Sequence, residues 1–189
     1  MKDQIINEIR ENISVNKSVI EKCVDSIELA ANVMASAIKS GNKILWCGNG
    51  GSAGNAIHLA NDFLYGVSSH VKASGLRVEA LSANSAVVTC LANDIGYDEV
   101  FAEQIRVKGN SGDILIVLSG SGNSENVVRA IQKANSMGAY TIGLLGNNGG
   151  KLKEIVNLPI VIPSNDTARI QEVHITIGHI ICEIIEEDF

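Results

Sequence analysis

Five short, largely apolar runs punctuate the chain: KILWC at 43–47, LRVEAL at 76–81, ILIVLS at 114–119, YTIGLL at 140–145 and PIVIP at 159–163. A strand with one wet face alternates apolar and polar residues. Apart from LRVEAL, where Arg77 and Glu79 alternate with apolar residues, these runs do not, and the five together are read as strands of a sheet covered on both faces, the habit of parallel sheets. Helical spacing fills the intervals, which makes the class α/β: a five-stranded parallel sheet with helices on both faces. Residues 1 to about 40 precede the first strand and read as two helices, one with Ile5, Ile6, Ile9 and Ile13, the other with Ile27, Ala30, Met34 and Ile38. Such an N-terminal helical extension is suited to covering a partner subunit. The segment TARIQEVHITIGHIICEIIEE predicts a long core helix capped by Ser164, Asn165 or Asp166. No repeat or low-complexity linker divides the chain, and its two prolines, Pro159 and Pro163, flank the last strand. The expected organisation is one domain over 1–189, with the helical pair in 1–40 and the α/β core in 41–189.

Two of the strands run into turns rich in glycine and serine. After KILWC comes GNGGSAGNAIHLAND (48–62), where Gly48, Gly50 and Gly51 allow a sharp turn that leaves amides free at a helix start. Ser52 stands where a helix cap belongs. His58 and Asp62, four residues apart, share one face of that helix, an acid/base or metal pair within reach of a ligand on the loop. A P-loop is excluded, because no Lys-Ser/Thr follows the last glycine. Gly48, Gly50 and Ala53 meet the dinucleotide fingerprint only loosely, with Glu79 some thirty residues on instead of about twenty. The second turn, SGSGNSENVVRAIQKA, begins at Ser119 directly after ILIVL. Its Ser119, Ser121, Asn123 and Ser124 exceed what capping needs, and phosphate binding is the better reading. Gly146 to Gly150 reads as a plain turn at the same edge. Gln171, His174 and His179 add a second polar cluster inside an otherwise apolar helix.

Composition narrows the partners. Nearly half of the 189 residues are apolar (46%), enough for one sizeable core. A net charge of -6 with 4% aromatic residues argues against a nucleic-acid surface, and no apolar run reaches a membrane span, IGHIICEII being too short. The cysteines, Cys23, Cys47, Cys90 and Cys182, show no CxxC spacing, and the charged start MKDQIINEIRENIS lacks the form of a signal peptide. The expectation is a reduced, cytoplasmic chain with all four thiols in the core.

Taken in order, CGNGGSA with His58 at its distance, ANDIGYDEVFAEQ, SGSGNS and RIQEVHITIGHIICEIIE resemble the sugar isomerase (SIS) domain proteins of the sedoheptulose-7-phosphate isomerase type, the phosphoheptose isomerases, over essentially the whole length. The resemblance implies a flavodoxin-like three-layer sandwich. It also implies an aldose-ketose isomerase that converts sedoheptulose 7-phosphate to D-glycero-D-manno-heptose 7-phosphate through an enediol, toward heptose for bacterial lipopolysaccharide or capsule. Carried over by position, Asn49, Gly50, Gly51, Ser52, Asn93 and Asp94 contact the sugar, and Ser119, Gly120, Ser121 and Ser124 hold the phosphate. His58, Asp62, Gln171 and His179 hold one zinc per subunit, Gln171 and Asp62 also facing substrate, with Asp62 as base and His179 as acid.

Two positions depart from the family pattern. Where the family has Glu, Asp62 is one methylene shorter, and a base displaced by about 1 Å could lose on the order of 100-fold in rate. Gly120 replaces a more usual Thr, costing a hydroxyl but no backbone amide. A non-catalytic SIS protein, like the one that associates with the bacterial replication initiator DnaA, is the alternative, as is an isomerase of another phosphosugar; Gly51 and His179 favour the enzyme. The family implies a homo-oligomer, a tetramer. On one helix Gln171 and His179 lie about 12 Å apart along the axis, so at least one zinc ligand is expected from a neighbouring chain, with sites between subunits.

Overall fold

The computed structural model describes residues 1–66 and 76–187. Its five strands, β1 (Ile44–Gly48), β2 (Val78–Ala80), β3 (Ile114–Ser119), β4 (Tyr140–Leu145) and β5 (Leu158–Val161), form one all-parallel sheet in the order β2-β1-β3-β4-β5. The apolar runs at 114–119 and 140–145 match β3 and β4 residue for residue. The second run is ordered as a strand over only three residues, at an edge of the sheet. Pro159 lies inside β5 instead of flanking it. The strand tolerates it because β5 is the other edge, where one side of the backbone needs no ladder partner.

Both faces of the sheet are covered, and the pleat sorts the side chains. Ile44, Trp46, Ile116 and Leu144 join a core with α2 (Val24–Lys39), α3 (Gly51–Tyr65) and α7 (Thr167–Glu186). Leu45, Cys47, Leu115 and Val117 point the other way, into a core with α5 (Ala102–Lys108) and α6 (Glu125–Ser136). This is the three-layer sandwich that continuous apolar strands demand.

The two N-terminal helices differ in status. On α2, Ile27, Ala30 and Met34 are buried against the sheet layer, so this helix is part of the core, not an appendage. On α1 (Lys2–Lys22), Ile5, Ile9 and Ile13 stay about half exposed, and only Val15 and Val19 are buried. A further helix, α4 (Ser85–Asp94), buries no residue at all. Among the described residues no helix is long and apolar enough to cross a membrane. All four cysteines are free, but only three are buried: Cys90 is exposed on α4, where its thiol lies 3.5 Å from the Asp94 carboxylate, which raises its pKa.

Candidate active site

The chain leaves β1 toward β2 on one side and continues through β3 to β4 on the other, so the sheet's topological switch point lies between β1 and β3. Ligands bind outside the carboxyl ends of strands at such a point, and both glycine-serine turns sit there. In the first, Gly50 has a positive φ of 55° and is itself the cap residue of α3. Ser52 is therefore not the cap; it is buried in the first turn of α3, and a side chain on Gly48 would meet its Cβ at 2.8 Å. Gly51 has no room for one either, because the amide of Gln171 lies within 2.5–2.8 Å of where its Cβ would be.

In the second turn, Ser119 Oγ accepts from the Gly122 amide (3.1 Å) and Ser121 Oγ from the Asn123 amide (3.2 Å). Each hydroxyl keeps its proton to donate. Ser124 is the cap residue of α6 and does not spend its hydroxyl on capping, so the positive end of a twelve-residue helix opens beside it. The GNNGG turn is more than a plain connection. Asn147 Nδ2 donates to the Gly120 carbonyl (2.8 Å), the Leu152 amide to Gly122 (3.0 Å) and the Lys151 amide to Asn123 Oδ1 (3.1 Å), so it braces the serine turn from behind. Only glycine fits at 122, where a Cβ would meet the Gly149 carbonyl.

Helices α3 and α7 bring His58, Asp62 and His179 together. Asp62 Oδ2 lies 3.2 Å from the Nε2 of each histidine, and the two Nε2 atoms are 3.0 Å apart. Three ligand atoms on one ion with bonds of about 2.0–2.2 Å stand at about this spacing. Asp62 Oδ2 is also buried with no hydrogen-bond partner, a costly state for a carboxylate oxygen that a divalent cation would relieve. The donor set therefore fits zinc. The two helices are packed closely where the triangle forms: at Gly178 a Cβ would lie 2.3 Å from Leu59 Cδ2, so the glycine lets α7 approach α3 just before His179.

Not every expected residue joins this triangle. Gln171 packs over Gly51, and its carbonyl accepts from Asn55 Nδ2 (2.9 Å). Gly51 is seven residues before His58, about 10 Å along α3, so within its own chain Gln171 stays with the glycine turn. Asn93 and Asp94 are exposed at the end of α4 and bond to each other (2.8 Å). His174 faces the opposite way, fully buried, with Nε2 3.3 Å from the Leu145 carbonyl and Nδ1 unpartnered. Burial lowers its pKa from 6.5 to about 4, the bond to Leu145 opposing.

The unfolded chain thus binds a proton at His174 that the folded chain refuses between about pH 6.5 and 4. This group's contribution to stability is present above pH 6.5 and lost as pH falls through about 4. Its ceiling is about 3 kcal/mol, at about 1.4 kcal/mol per pKa unit. Urea unfolding from pH 7 to 4 is expected to show a smaller loss of stability for His174→Gln than for the natural protein. Equal losses would assign the acid sensitivity elsewhere.

Sequence reasoning missed three polar residues here. Asn126, on α6, exchanges two hydrogen bonds with Asn49 (2.8 and 2.9 Å); Tyr97 Oη donates to Asn49 Oδ1 (2.9 Å); and Asn55 ties α3 to α7. Asn126 stands inside the serine motif, the one signal that could have drawn attention to it.

Residues 9–146 match the SIS domain family. The chain is similar to the phosphoheptose isomerase of Aliarcobacter butzleri, 42% identical over 188 residues, 100% of this chain and 98% of that one. Among solved structures it is similar to the phosphoheptose isomerase of Neisseria gonorrhoeae (TM-score 0.91, 33% identity, 98% of each chain). That of Francisella tularensis aligns with a TM-score of 0.92 at 32% identity, over 99% of this chain and 98% of the other.

Proposed function

We infer that this chain, which belongs to the SIS domain family and within it to the phosphoheptose isomerases, interconverts sedoheptulose 7-phosphate and D-glycero-D-manno-heptose 7-phosphate. The observation that carries the reading is the His58–Asp62–His179 triangle with its orphaned carboxylate oxygen, on the same α3 that begins at the glycine turn. The non-catalytic SIS reading is not favoured, since the relatives are isomerases and the triangle is intact. Formation of an aldoheptose 7-phosphate from the ketose, separated by chromatography, tests the reading; none would leave a binding protein.

The proton inventory fits the residues. Turning the ketose into the aldose removes a proton from C1, gives a cis-enediol, and returns a proton to C2, while O1 loses a proton and O2 gains one. With Oδ2 turned to the histidines, Asp62 Oδ1 takes and returns the carbon proton, and His179, whose Nε2 faces the metal position, moves the oxygen proton through Nδ1. Zinc held by His58, Asp62 and His179 would act as a Lewis acid on the sugar oxygens. Ser119, Ser121, Ser124 and the α6 terminus hold the phosphate; Gly120, Gly50, Gly51 and Ser52 allow close backbone approach; and Asn49, Asn93 and Asp94 meet the hydroxyls. Replacing Ser119, Ser121 and Ser124 together with Ala is expected to raise KM at least tenfold, since each lost bond to a charged group costs about 1.5–3 kcal/mol. An unchanged KM would move the phosphate to another turn.

The half-exposed isoleucines of α1 and the unburied α4 leave apolar surface for a homo-oligomer, a tetramer in this reading, in the cytoplasm. Its subunits would share sites: Gln171, remote from its own chain's triangle, reaches the metal of a neighbour. Because His58 and His179 meet within one chain, mixing variants of those two cannot test this. Mixing inactive Gln171→Ala and His58→Ala subunits can. Part of the activity is expected to return in mixed oligomers, and none would return if every site is confined to one chain.

A further inference from the structure

The side chain of Asn49 has almost no freedom left. Its Oδ1 accepts from Asn126 Nδ2 (2.9 Å) and from Tyr97 Oη (2.9 Å), and its Nδ2 donates to Asn126 Oδ1 (2.8 Å). An amide oxygen has two lone pairs and an amide nitrogen two protons, so a single N–H remains unspent. Asn126 is only 2% exposed and stands two residues after Ser124, in the first turn of α6. Tyr97 is fixed as well, since the turn Tyr97–Glu99 is held to α6 by Arg129, whose guanidinium binds Glu99 (2.5 Å) and Glu125 (3.1 Å). One amide thereby joins the glycine turn after β1, the serine turn after β3 and the segment just beyond Asp94.

We propose that Asn126, assisted by Tyr97, is a positioning residue that holds the Asn49 amide so that only an N–H faces the sugar, aimed at the oxygen that gains negative charge as the enediolate forms. This rests on the reading of the chain as a phosphoheptose isomerase with Asn49 at the sugar. A donor fixed in advance needs no reorganisation as charge develops, so its orientation matters most in the transition state. A free carboxamide could instead rotate and present its oxygen, which repels that charge. The same pair ties the sugar turn to the start of α6, so the carbonyl end is oriented against a phosphate end that Ser119, Ser121, Ser124 and the α6 terminus hold without it.

The test uses the full-length, zinc-loaded protein with sedoheptulose 7-phosphate. Asn126→Ala is expected to lower kcat by about tenfold to a hundredfold, the scale of a misaligned transition-state contact, while KM and inhibition by inorganic phosphate change less than about threefold. Asn126→Asp adds a readout that loss of packing would not move. Its ionised carboxylate repels Asn49 Oδ1, but the protonated acid both donates and accepts, so its kcat relative to the natural protein should rise as pH is lowered from 8 toward 5.5. Should Asn126→Ala fold poorly, Tyr97→Phe at the exposed end of the network is expected to cost about threefold to tenfold in kcat. A natural protein that turns over the sugar alongside an undiminished kcat in Asn126→Ala would overturn this inference alone. So would a loss confined to KM, or a pH-independent deficit in Asn126→Asp. A natural protein without turnover would overturn the functional reading and this inference with it.

Discussion

Replacing Asp62 by Asn is expected to reduce kcat by at least about a thousandfold, within the range that general base catalysis supplies, and to weaken zinc binding. The isosteric amide keeps the shape of the site and removes both the proton acceptor and the charge facing His58 and His179, each 3.2 Å from Asp62 Oδ2. Asp62→Glu keeps both and should lose no more than about a hundredfold, a displacement effect and not a loss of chemistry. Steady-state kinetics with metal analysis of each variant checks this. Comparable activity in the natural protein and Asp62→Asn would show that Asp62 is not the base.

The second large effect is expected from a residue with no chemistry. At Gly178 an added methyl group would sit 2.3–2.9 Å from the Leu59 side chain, which is fully buried and has nowhere to swing. Gly178→Ala must therefore push α7 away from α3, at about 1–3 kcal/mol of overpacking. That opens the triangle His179 closes. The expected result is a folded protein with zinc affinity and kcat each reduced by about a hundredfold, because a shift of about 1 Å suffices for that loss. A longer carboxylate should bridge the wider gap, so Asp62→Glu is expected to recover part of what Gly178→Ala loses. Calorimetric zinc titration of the two single variants and the double variant measures this coupling. Strict additivity would mean that side-chain reach and helix spacing are independent here.

These two residues show how much the chain discloses by itself. Continuous apolar runs placed the inner strands β1, β3 and β4, because burial on both faces leaves no other pattern. The edge strands β2 and β5 are only partly buried and were legible from their spacing between helices. The turns that follow β1 and β3 had to fall at one edge. His58 and Asp62 were legible from i,i+4 spacing. The role of Gly178 was not, since nothing in a sequence states which side chain a neighbouring helix presents. Helical arithmetic could have separated His174 from His179: five residues turn about 140° around the axis, so one faces the core when the other faces α3. Ser52 looked like a cap because cap chemistry is local, whereas Gly50, free to take a positive φ, moved the helix start. The reciprocal Asn49–Asn126 pair spans seventy-seven residues and had no local signature.

The most direct measurement is incubation of the zinc-loaded protein with sedoheptulose 7-phosphate in deuterium oxide, followed by separation of the heptose phosphates and magnetic resonance of the product. Proton transfer through an enediol on a single base predicts an aldoheptose 7-phosphate that carries deuterium at C2 in the fraction of turnovers in which the proton held by Asp62 exchanges with solvent before it is returned. Unchanged ketose, with the metal bound in full, would contradict the account.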